Sequence, residues 1–383
     1  MLKISEAARR LHVQSIVVDT HVDTTQRLLD VHFNLGSRHA DGSVDIPRMR
    51  DGGVSAIFFA IWVPGTVTGL QATQRARAQI EAVRHATAKA PKELTLAKTA
   101  ADIRRARESG RIAVLMAIEG GHMMNHDLNL LRQFSSLGVS YMTLTHMRTT
   151  DWCDASTDKP MHDGLSDFGR EAIHEMNRVG MMVDVSHVSD KAVRDVLDTS
   201  AAPIFASHSS CRTLCDSPRN ISDELIQAIA RKGGVVQVSF HMGFLSREFR
   251  DAEANGELSR QLNEELDLRC GENMTCRMLE SDRIVRALVG EGKLPRVEWT
   301  EIVRQIDHAV ETAGVEHVGF GSDFDGAQMP YGMEDASRLP LLTDALLQKG
   351  YSEKDVEGIL GGNMLRFMED VETAANSRRG TTV

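Results

Sequence analysis

Cysteine and long apolar runs are both scarce in this sequence. Five cysteines in 383 residues form an odd set without a CxxC pair, which is typical of reduced thiols in the cytosol. Cys270 and Cys276 are near enough in sequence to form a disulfide, but we expect them to be reduced as well. No apolar run approaches the roughly 18 residues of a membrane span. The first 18 residues have an amphipathic helical pattern without the apolar segment of a signal peptide, so we expect a cytoplasmic protein.

Runs of basic residues are also missing, because none is longer than two residues and the formal net charge is −10. Such a chain is poorly suited to the phosphates of nucleic acid or to an anionic membrane surface. We therefore expect a small-molecule partner and neither of those two.

Eight buried strands are predicted from continuous apolar runs, which are typical of parallel strands covered on both faces. Stretches with helical periodicity separate them, and strand followed by helix, eight times over, predicts a (β/α)8 TIM barrel in the α/β class. A doubly wound sheet is the alternative, and on length alone two ordinary domains would fit as well as one. The predicted strands are Ser15–Asp19, Val54–Val63, Ile112–Glu119, Val139–His146, Met181–His187, Pro203–His208, Gly234–His241 and His317–Asp323.

The segment between the seventh and eighth strands is too long for a simple barrel loop. Residues 243–314 are charged and helical in pattern, so we predict a helical insertion before the last strand that forms a lid or an oligomer contact. A homodimer is compatible with this. Residues 1–373 are predicted to form one domain, and residues 374–383 a disordered tail.

Side chains that bind metals or move protons close most of the predicted strands. His21 and Asp23 are two residues apart, so on an extended chain they point the same way. In a TIM barrel the carboxyl ends of the strands form the active site, so these side chains are expected to converge. They are Asp19, His21, Asp23, Glu119, His146, His187, His208 and Asp323.

The residue types predict a two-metal site. Imidazoles and carboxylates without thiolates fit zinc, or else manganese, cobalt or iron, and they are too many for one open catalytic site. Two ions sharing a bridging carboxylate and a bridging hydroxide would use them all. Each residue alone has a structural explanation, such as a hydrogen-bonded core histidine. His241 also ends a strand, and Asp184 and Asp325 compete with their neighbours for the functional role.

The motifs together resemble the membrane (renal) dipeptidase family, peptidase family M19, of the amidohydrolase superfamily. They are DTHVDT, VDIPRMRDGGVSAIFFAIWV, AIEGGH, LTHMRTTDWCD, LSDFGREAIHEMNRVGMMVDVSHVSD, PIFASHSSCR, SPRNISDELI and VGFGSDFDG, spread over most of the chain. The resemblance implies a (β/α)8 barrel with two Zn²⁺ ions, other divalent ions being allowed.

The same resemblance implies a role for each site residue. His21 and Asp23 would bind the first metal, Glu119 would bridge, and His187 and His208 would bind the second. His146 would polarise the substrate carbonyl, and Arg219 would hold the C-terminal carboxylate, for which a guanidinium is well suited. Asp323 would pass a proton from the attacking hydroxide to the leaving amine.

The leading hypothesis is a zinc-dependent dipeptidase that hydrolyses free dipeptides through a metal-bridging hydroxide. The resemblance adds tolerance of a D-residue at the C-terminal position. One alternative is another hydrolase of the same superfamily, acting on an N-acyl amino acid, a cyclic amide or a lactone. The other is a catalytically silent barrel that binds metal.

Overall fold

A parallel sheet that closes on itself forms the centre of the molecule in the computed structural model, which describes residues 3–30, 32–254 and 256–379. The strands are β1 (Val17–Val22), β2 (Val54–Trp62), β3 (Leu94–Leu96), β4 (Ile112–Glu119), β5 (Val139–Thr143), β6 (Met182–Asp184), β7 (Phe205–Ala206), β8 (Val235–Val238) and β9 (Val318–Phe320). Their order is β1-β2-β4-β5-β6-β7-β8-β9, and every pair is parallel.

Contacts between the first and last strands close the barrel. Val22 forms a parallel bridge with Phe324, and the Asp23 amide donates to the Phe324 carbonyl at 2.8 Å. The Asp323 amide in turn donates to the His21 carbonyl at 3.0 Å. The predicted TIM barrel is therefore confirmed, because the edge strands of a doubly wound sheet would not meet.

All eight predicted strands are present, but most end earlier than predicted. The apolar runs of β5, β6, β8 and β9 continue past the last ladder residue into segments that turn toward the barrel mouth. A ninth strand, β3, was not predicted. Its three residues pair only with the start of β4, from Ile112 to Val114, and a segment that short has too few residues to show a periodic pattern.

Helices surround the barrel, and serine N-caps begin many of them. Ser189 and Ser222, for example, accept hydrogen bonds from backbone amides of the first turn. The helices are α1 (Glu6–Gln14), α2 (Thr25–Leu28), α3 (Ile46–Asp51), α4 (Gly69–Lys89), α5 (Ala100–Glu108), α6 (Leu128–Ser136), α7 (Asp167–Val179), α8 (Asp190–Thr199), α9 (Asp223–Arg231), α10 (Met242–Leu245), α11 (Arg247–Glu253), α12 (Gly256–Cys270), α13 (Met274–Gly290), α14 (Thr300–Ala313), α15 (Pro340–Gln348), α16 (Glu353–Glu357) and α17 (Asn363–Arg379).

The predicted insertion contains two kinds of helix. Helices α12 and α13 pair as a hairpin outside the barrel wall, and α13 reaches over the barrel mouth. Helix α14 instead buries Ile302, Val303 and Ile306 and packs against α9, β8 and β9. It is therefore the barrel helix that precedes the last strand, and the added part ends before it.

Two predictions about the chain are wrong. Cys270 and Cys276 form a disulfide, because the end of α12 and the turn at residues 271–273 bring their Cα atoms within 5.4 Å. The tail is not disordered from residue 374, because α17 continues to Arg379 and buries Val371 and Ala375. Residues 380–383 lie outside the described residues. Among the described helices, none has both the length and the apolar character needed to cross a membrane.

Candidate metal centre and active site

Seven of the eight polar side chains predicted to converge lie together at one end of the barrel. The eighth, Asp19, is in none of the groups of ligand atoms, and its Oδ1 instead accepts from the His21 and Ser322 amides at 3.3 and 2.9 Å. The carboxyl ends of parallel barrel strands share one rim, so a residue that follows any strand faces the same opening. The seven are His21 in β1, Asp23 just after it, Glu119 at the end of β4, His146 after β5, His187 after β6, His208 after β7 and Asp323 after β9.

Glu119 is at the centre of this group, and its two carboxylate oxygens face different partners. Oε1 lies 2.9 Å from His187 Nε2 and 3.3 Å from His208 Nε2. Oε2 lies 3.6 Å from His21 Nε2, which is itself 3.6 Å from Asp23 Oδ2. One carboxylate therefore joins two sets of ligand atoms, His187 with His208 and His21 with Asp23.

Hydrogen bonds behind the imidazole rings determine which ring nitrogen faces the centre. The Tyr141 hydroxyl donates to a backbone carbonyl of β1, so it accepts from His21 Nδ1–H at 2.8 Å. Ser207 donates its hydroxyl proton to Asp184 and accepts from His208 Nδ1–H at 2.7 Å. In both rings Nε2 is therefore the nitrogen that faces Glu119. Such outer partners orient the ligands of metal sites.

The close approach of these nitrogen and oxygen atoms is better explained by bound divalent cations than by hydrogen bonds among the side chains. His21 Nε2 is buried with no hydrogen-bond partner among the described residues. The Nε2 atoms of His187 and His208 are only 3.0 Å apart and both lie within 3.3 Å of Glu119 Oε1, so these three atoms could bind one cation together. The ligand atoms lie within 4.8 Å of one another in three groups: His21, Asp23 and Glu119; Glu119, His146 and His187; and His21, His208 and Asp323.

Two of the site residues have a backbone conformation that side chains rarely adopt. His187 has φ 67° and Asp323 has φ 65°, in the left-handed region that favours glycine. Such strain persists only where the surrounding structure holds it, and it clusters at functional sites. Each residue lies three positions past its strand, where the chain turns sharply across the barrel mouth.

Burial and charge shift the protonation of three groups in the site. Burial raises the pKa of Asp323 to about 7, and the nearby Asp23 carboxylate adds to the shift. Burial also lowers the pKa of His146 to about 4, although Glu119 opposes this. For Glu119 burial acts to raise the pKa, but the charge of His21 and hydrogen bonds with His187 and His208 outweigh it and hold the pKa well below its usual value. At neutral pH His146 is therefore neutral, and Asp323 is near its midpoint.

A cavity of about 310 Å³ lies against this group, a volume at the small end of ligand sites. Arg219 lines it, with its guanidinium 5.1 Å from the centre of the Phe244 ring. Arg219 donates from Nη2 to the His208 carbonyl at 3.3 Å, while Nε and Nη1 are buried without a partner in the described structure. Burial lowers the pKa of Arg219 to about 10, so it stays charged and can bind a carboxylate.

The structure distinguishes the site residues from their sequence neighbours. Asp325 accepts from the Ser43 amide and the Thr24 hydroxyl, at 2.7 and 2.6 Å, so its carboxylate is already occupied. Asp184 is likewise saturated by serine and threonine donors and acts behind the ligands. His241 lines the cavity but is in none of the three ligand groups, and its Nδ1 accepts from a backbone amide at 2.9 Å.

Several residues at the site were not predicted. Tyr141 lies inside an apolar strand, and only its contact with His21 shows its role. Trp62, Met274 and Met278 line the cavity, but apolar side chains in a sequence give no sign that they face a ligand. The methionines belong to α13, far from the strand ends that carry the recognisable motifs.

The sequence model of the membrane dipeptidase family, Peptidase family M19, matches residues 5–381. The chain belongs to this family. Dipeptidase 3 of Rattus norvegicus is 30% identical over 392 residues, which cover 99% of this chain and 70% of that protein. The predicted family and the predicted enzyme class, a metallopeptidase acting on dipeptides, are confirmed at the level of the family.

Two solved structures are similar over nearly the whole chain. The probable dipeptidase PvdM from Pseudomonas aeruginosa has a TM-score of 0.82 and 27% identity, and the match covers 97% of this chain and 98% of that one. A metallopeptidase from Rhodobacter sphaeroides, bound to a phosphinate mimic of the dipeptide L-Ala-D-Ala, has a TM-score of 0.77 and 26% identity. That match covers 93% of this chain and 99% of the other.

Proposed function

We propose that this M19 protein is a zinc-dependent dipeptidase in which His21, Asp23, Glu119, His187 and His208 would hold two ions. The observation that carries the proposal is the position of Glu119, with one oxygen toward His187 and His208 and the other toward His21. Imidazole and carboxylate donors without thiolates suit zinc. Two bound ions would supply Lewis acidity and lower the pKa of water at neutral pH.

Arg219 would select substrates that have a free C-terminal carboxylate. Its buried guanidinium has two donors, Nε and Nη1, without partners in the described structure, and a terminal carboxylate would accept hydrogen bonds from this guanidinium. Because Arg219 is fixed under Phe244 and beside the His208 backbone, the distance from this carboxylate to the metal ligands is fixed too. The peptide bond within reach of the metal ligands would then be the last one before that carboxylate.

His146 and Asp323 would carry the proton chemistry. The neutral His146 imidazole, whose Nε2 is 3.8 Å from Glu119 Oε1, would donate a hydrogen bond to the scissile carbonyl as negative charge develops there. Asp323, with its pKa raised to about 7, would accept a proton from water and deliver it to the departing amine nitrogen. A pKa near the working pH suits both halves of that transfer.

A D-residue at the C-terminal position is part of the proposal. The related Rhodobacter sphaeroides enzyme was crystallised with a mimic of L-Ala-D-Ala, and this chain has a cavity of dipeptide size beside Arg219. We therefore place L-Xaa-D-Xaa peptides among the substrates.

The test is turnover of a dipeptide panel by zinc-loaded protein, together with metal analysis. We expect about two ions per chain, hydrolysis of L-Xaa-L-Xaa and L-Xaa-D-Xaa peptides, and no cleavage of the same peptides with an amidated C-terminus. An Arg219→Ala variant should raise KM strongly, while Arg38→Ala, which removes an exposed arginine paired with Asp51, should not. Turnover of amidated and free peptides at equal rates would contradict the role of Arg219 and favour another amide or lactone substrate.

A further inference from the structure

The active-site cavity has a larger neighbour. A cavity of about 660 Å³ lies beside it, between α13 and the loops that follow β1 and β9. Only two residues line both cavities, Met278 of α13 and Gly326 after β9, among the residues that the structure describes. These two residues therefore form the partition between the space next to the metal ligands and the larger space outside it.

Gly326 cannot be the adjustable part of this partition. A Cβ at this position would overlap the Asp23 carboxylate and lie 2.8 Å from Asp323 Oδ1. No residue with a side chain therefore fits at position 326. Met278 is different. Its side chain is half-buried and has three rotatable bonds, and methionine adapts its shape to what it contacts. Of the two residues that separate the cavities, Met278 is therefore the one whose side chain can determine how far they are closed off from each other.

The two sides of the partition differ in polarity. The smaller cavity has an apolar wall made of Trp62, Met147, Met274 and Met278. The larger cavity is lined by charged groups that are already paired, such as Arg27 with Asp41 at 2.6 Å and Arg286 with Asp282 at 2.8 Å. A substrate side chain that extended past Met278 would leave the apolar part of the smaller cavity and enter the larger, polar cavity. That cavity has room for a long or charged group.

The position of Met278 indicates which end of a substrate it meets. If Arg219 holds the C-terminal carboxylate, the C-terminal residue lies by Phe244, under which Arg219 is packed. Gly326, which lines both cavities together with Met278, lies against the carboxylates of Asp23 and Asp323. These carboxylates would attract the cationic amine of the N-terminal residue.

We propose that Met278 is a specificity-determining residue that limits the size of the side chain on the N-terminal residue of the substrate, with the 660 Å³ cavity as the space it closes off. The proposal rests on the dipeptidase function proposed above. Its consequence is that shortening residue 278 opens the active-site cavity into its neighbour and admits larger N-terminal side chains, whereas enlarging the residue excludes them.

The experiment compares Met278→Ala and Met278→Trp with the wild type on two peptide series. One series varies the N-terminal side chain from Ala to Trp and Arg before a fixed D-Ala, and the other varies the C-terminal side chain after a fixed L-Ala. We expect Met278→Ala to raise kcat/KM for Trp or Arg at the N-terminal position about tenfold relative to Ala, and Met278→Trp to lower it by a similar factor. Removing or adding a few methylene-sized groups in a pocket has effects of this size.

Leu279→Ala is the matched control, because Leu279 lines only the larger cavity and its loss should leave the ratio unchanged. Inhibition constants of phosphinate dipeptide mimics with small and large N-terminal groups give a readout of binding without turnover, and they should shift in the same direction. An unchanged ratio in both Met278 variants, or a shift confined to the C-terminal series, would overturn the proposal. If the wild type cleaves no peptide in either series, the proposed function itself fails, which is a separate result.

Discussion

The barrel mouth and the α12–α13 hairpin are built in opposite ways. At the barrel mouth His21 and His208, which we propose as metal ligands, are almost completely buried, and the Nδ1 of each is hydrogen-bonded to a hydroxyl. In the hairpin, α12 buries only Leu266 and α13 only Ile284 and Val285, among the residues that the structure describes.

The polar contacts of the two regions differ in the same way. The hairpin is covered by exposed ion pairs such as Arg269 with Glu265, and exposed pairs add little to stability. Side chains of α13 make three hydrogen bonds to the barrel loops: Thr275 to the Gln26 carbonyl at 3.1 Å, Ser281 with Gln328 at 2.7 Å, and Arg286 to the Met329 carbonyl at 3.3 Å. The contrast teaches that the residues proposed for the chemistry are on the buried barrel, while Met278, the residue proposed to limit the substrate, is on the more exposed hairpin.

The largest effect is expected from a substitution at the barrel mouth, at Asp323. Asp323→Asn removes the proposed proton carrier but keeps a side chain of the same shape, so we expect the metal content to stay unchanged and kcat to fall about a hundredfold or more. Steady-state kinetics and metal analysis of the same sample measure this. Asp325→Asn is the control: its carboxylate is bonded to Ser43 and Thr24, so it should lower the melting temperature while kcat changes far less. Loss of a metal from Asp323→Asn would make Asp323 a ligand rather than a proton carrier.

A smaller effect is expected from Tyr141, which hydrogen-bonds His21 from the side away from Glu119. Tyr141→Phe leaves His21 Nδ1 without its acceptor, which frees the imidazole to rotate or to change tautomer. Loss of such an outer partner usually weakens metal binding by about ten- to a hundredfold, measurable by competition with a chelator. Tyr351→Phe removes a distant hydroxyl that bonds Asp307 and should leave metal affinity unchanged. Equal affinities in both variants would show that the hydroxyl does not orient His21.

The barrel is the part of the molecule that the sequence predicts best, because its pattern is local. Continuous apolar runs that end in His, Asp or Glu indicate both the strand and the residue at its mouth, so Glu119 and His187 are placed at the barrel rim by sequence alone. The same patterns overestimate strand length, because an apolar residue that turns into the barrel mouth resembles one that stays in the ladder.

The rest depends on contacts between distant segments, which a single sequence does not show. Tyr141 is an ordinary strand residue until His21 is placed against it. Asp323 and Asp325 are equivalent in the motif, and only the Ser43 and Thr24 donors separate them. Met278 lies in a charged helix with no motif, and its place at the cavity follows from how the hairpin folds over the barrel.

The smallest effect is expected in the hairpin. The Cys270–Cys276 disulfide joins the end of α12 to the start of α13, and a cross-link over so short a loop stabilises by about 2 kcal/mol through the restricted unfolded chain. The double variant Cys270→Ser with Cys276→Ser should let proteases cut the hairpin faster and let its amides exchange faster. Turnover of L-Ala-D-Ala should stay within about twofold of the wild type, because every ligand and proton-transfer group is on the barrel. Leu268→Ala, at a position 87% exposed in α12, is the control for a change that should affect neither. A tenfold loss of turnover in the double variant would show that catalysis depends on the hairpin. It would contradict our assignment of the chemistry to the barrel mouth alone.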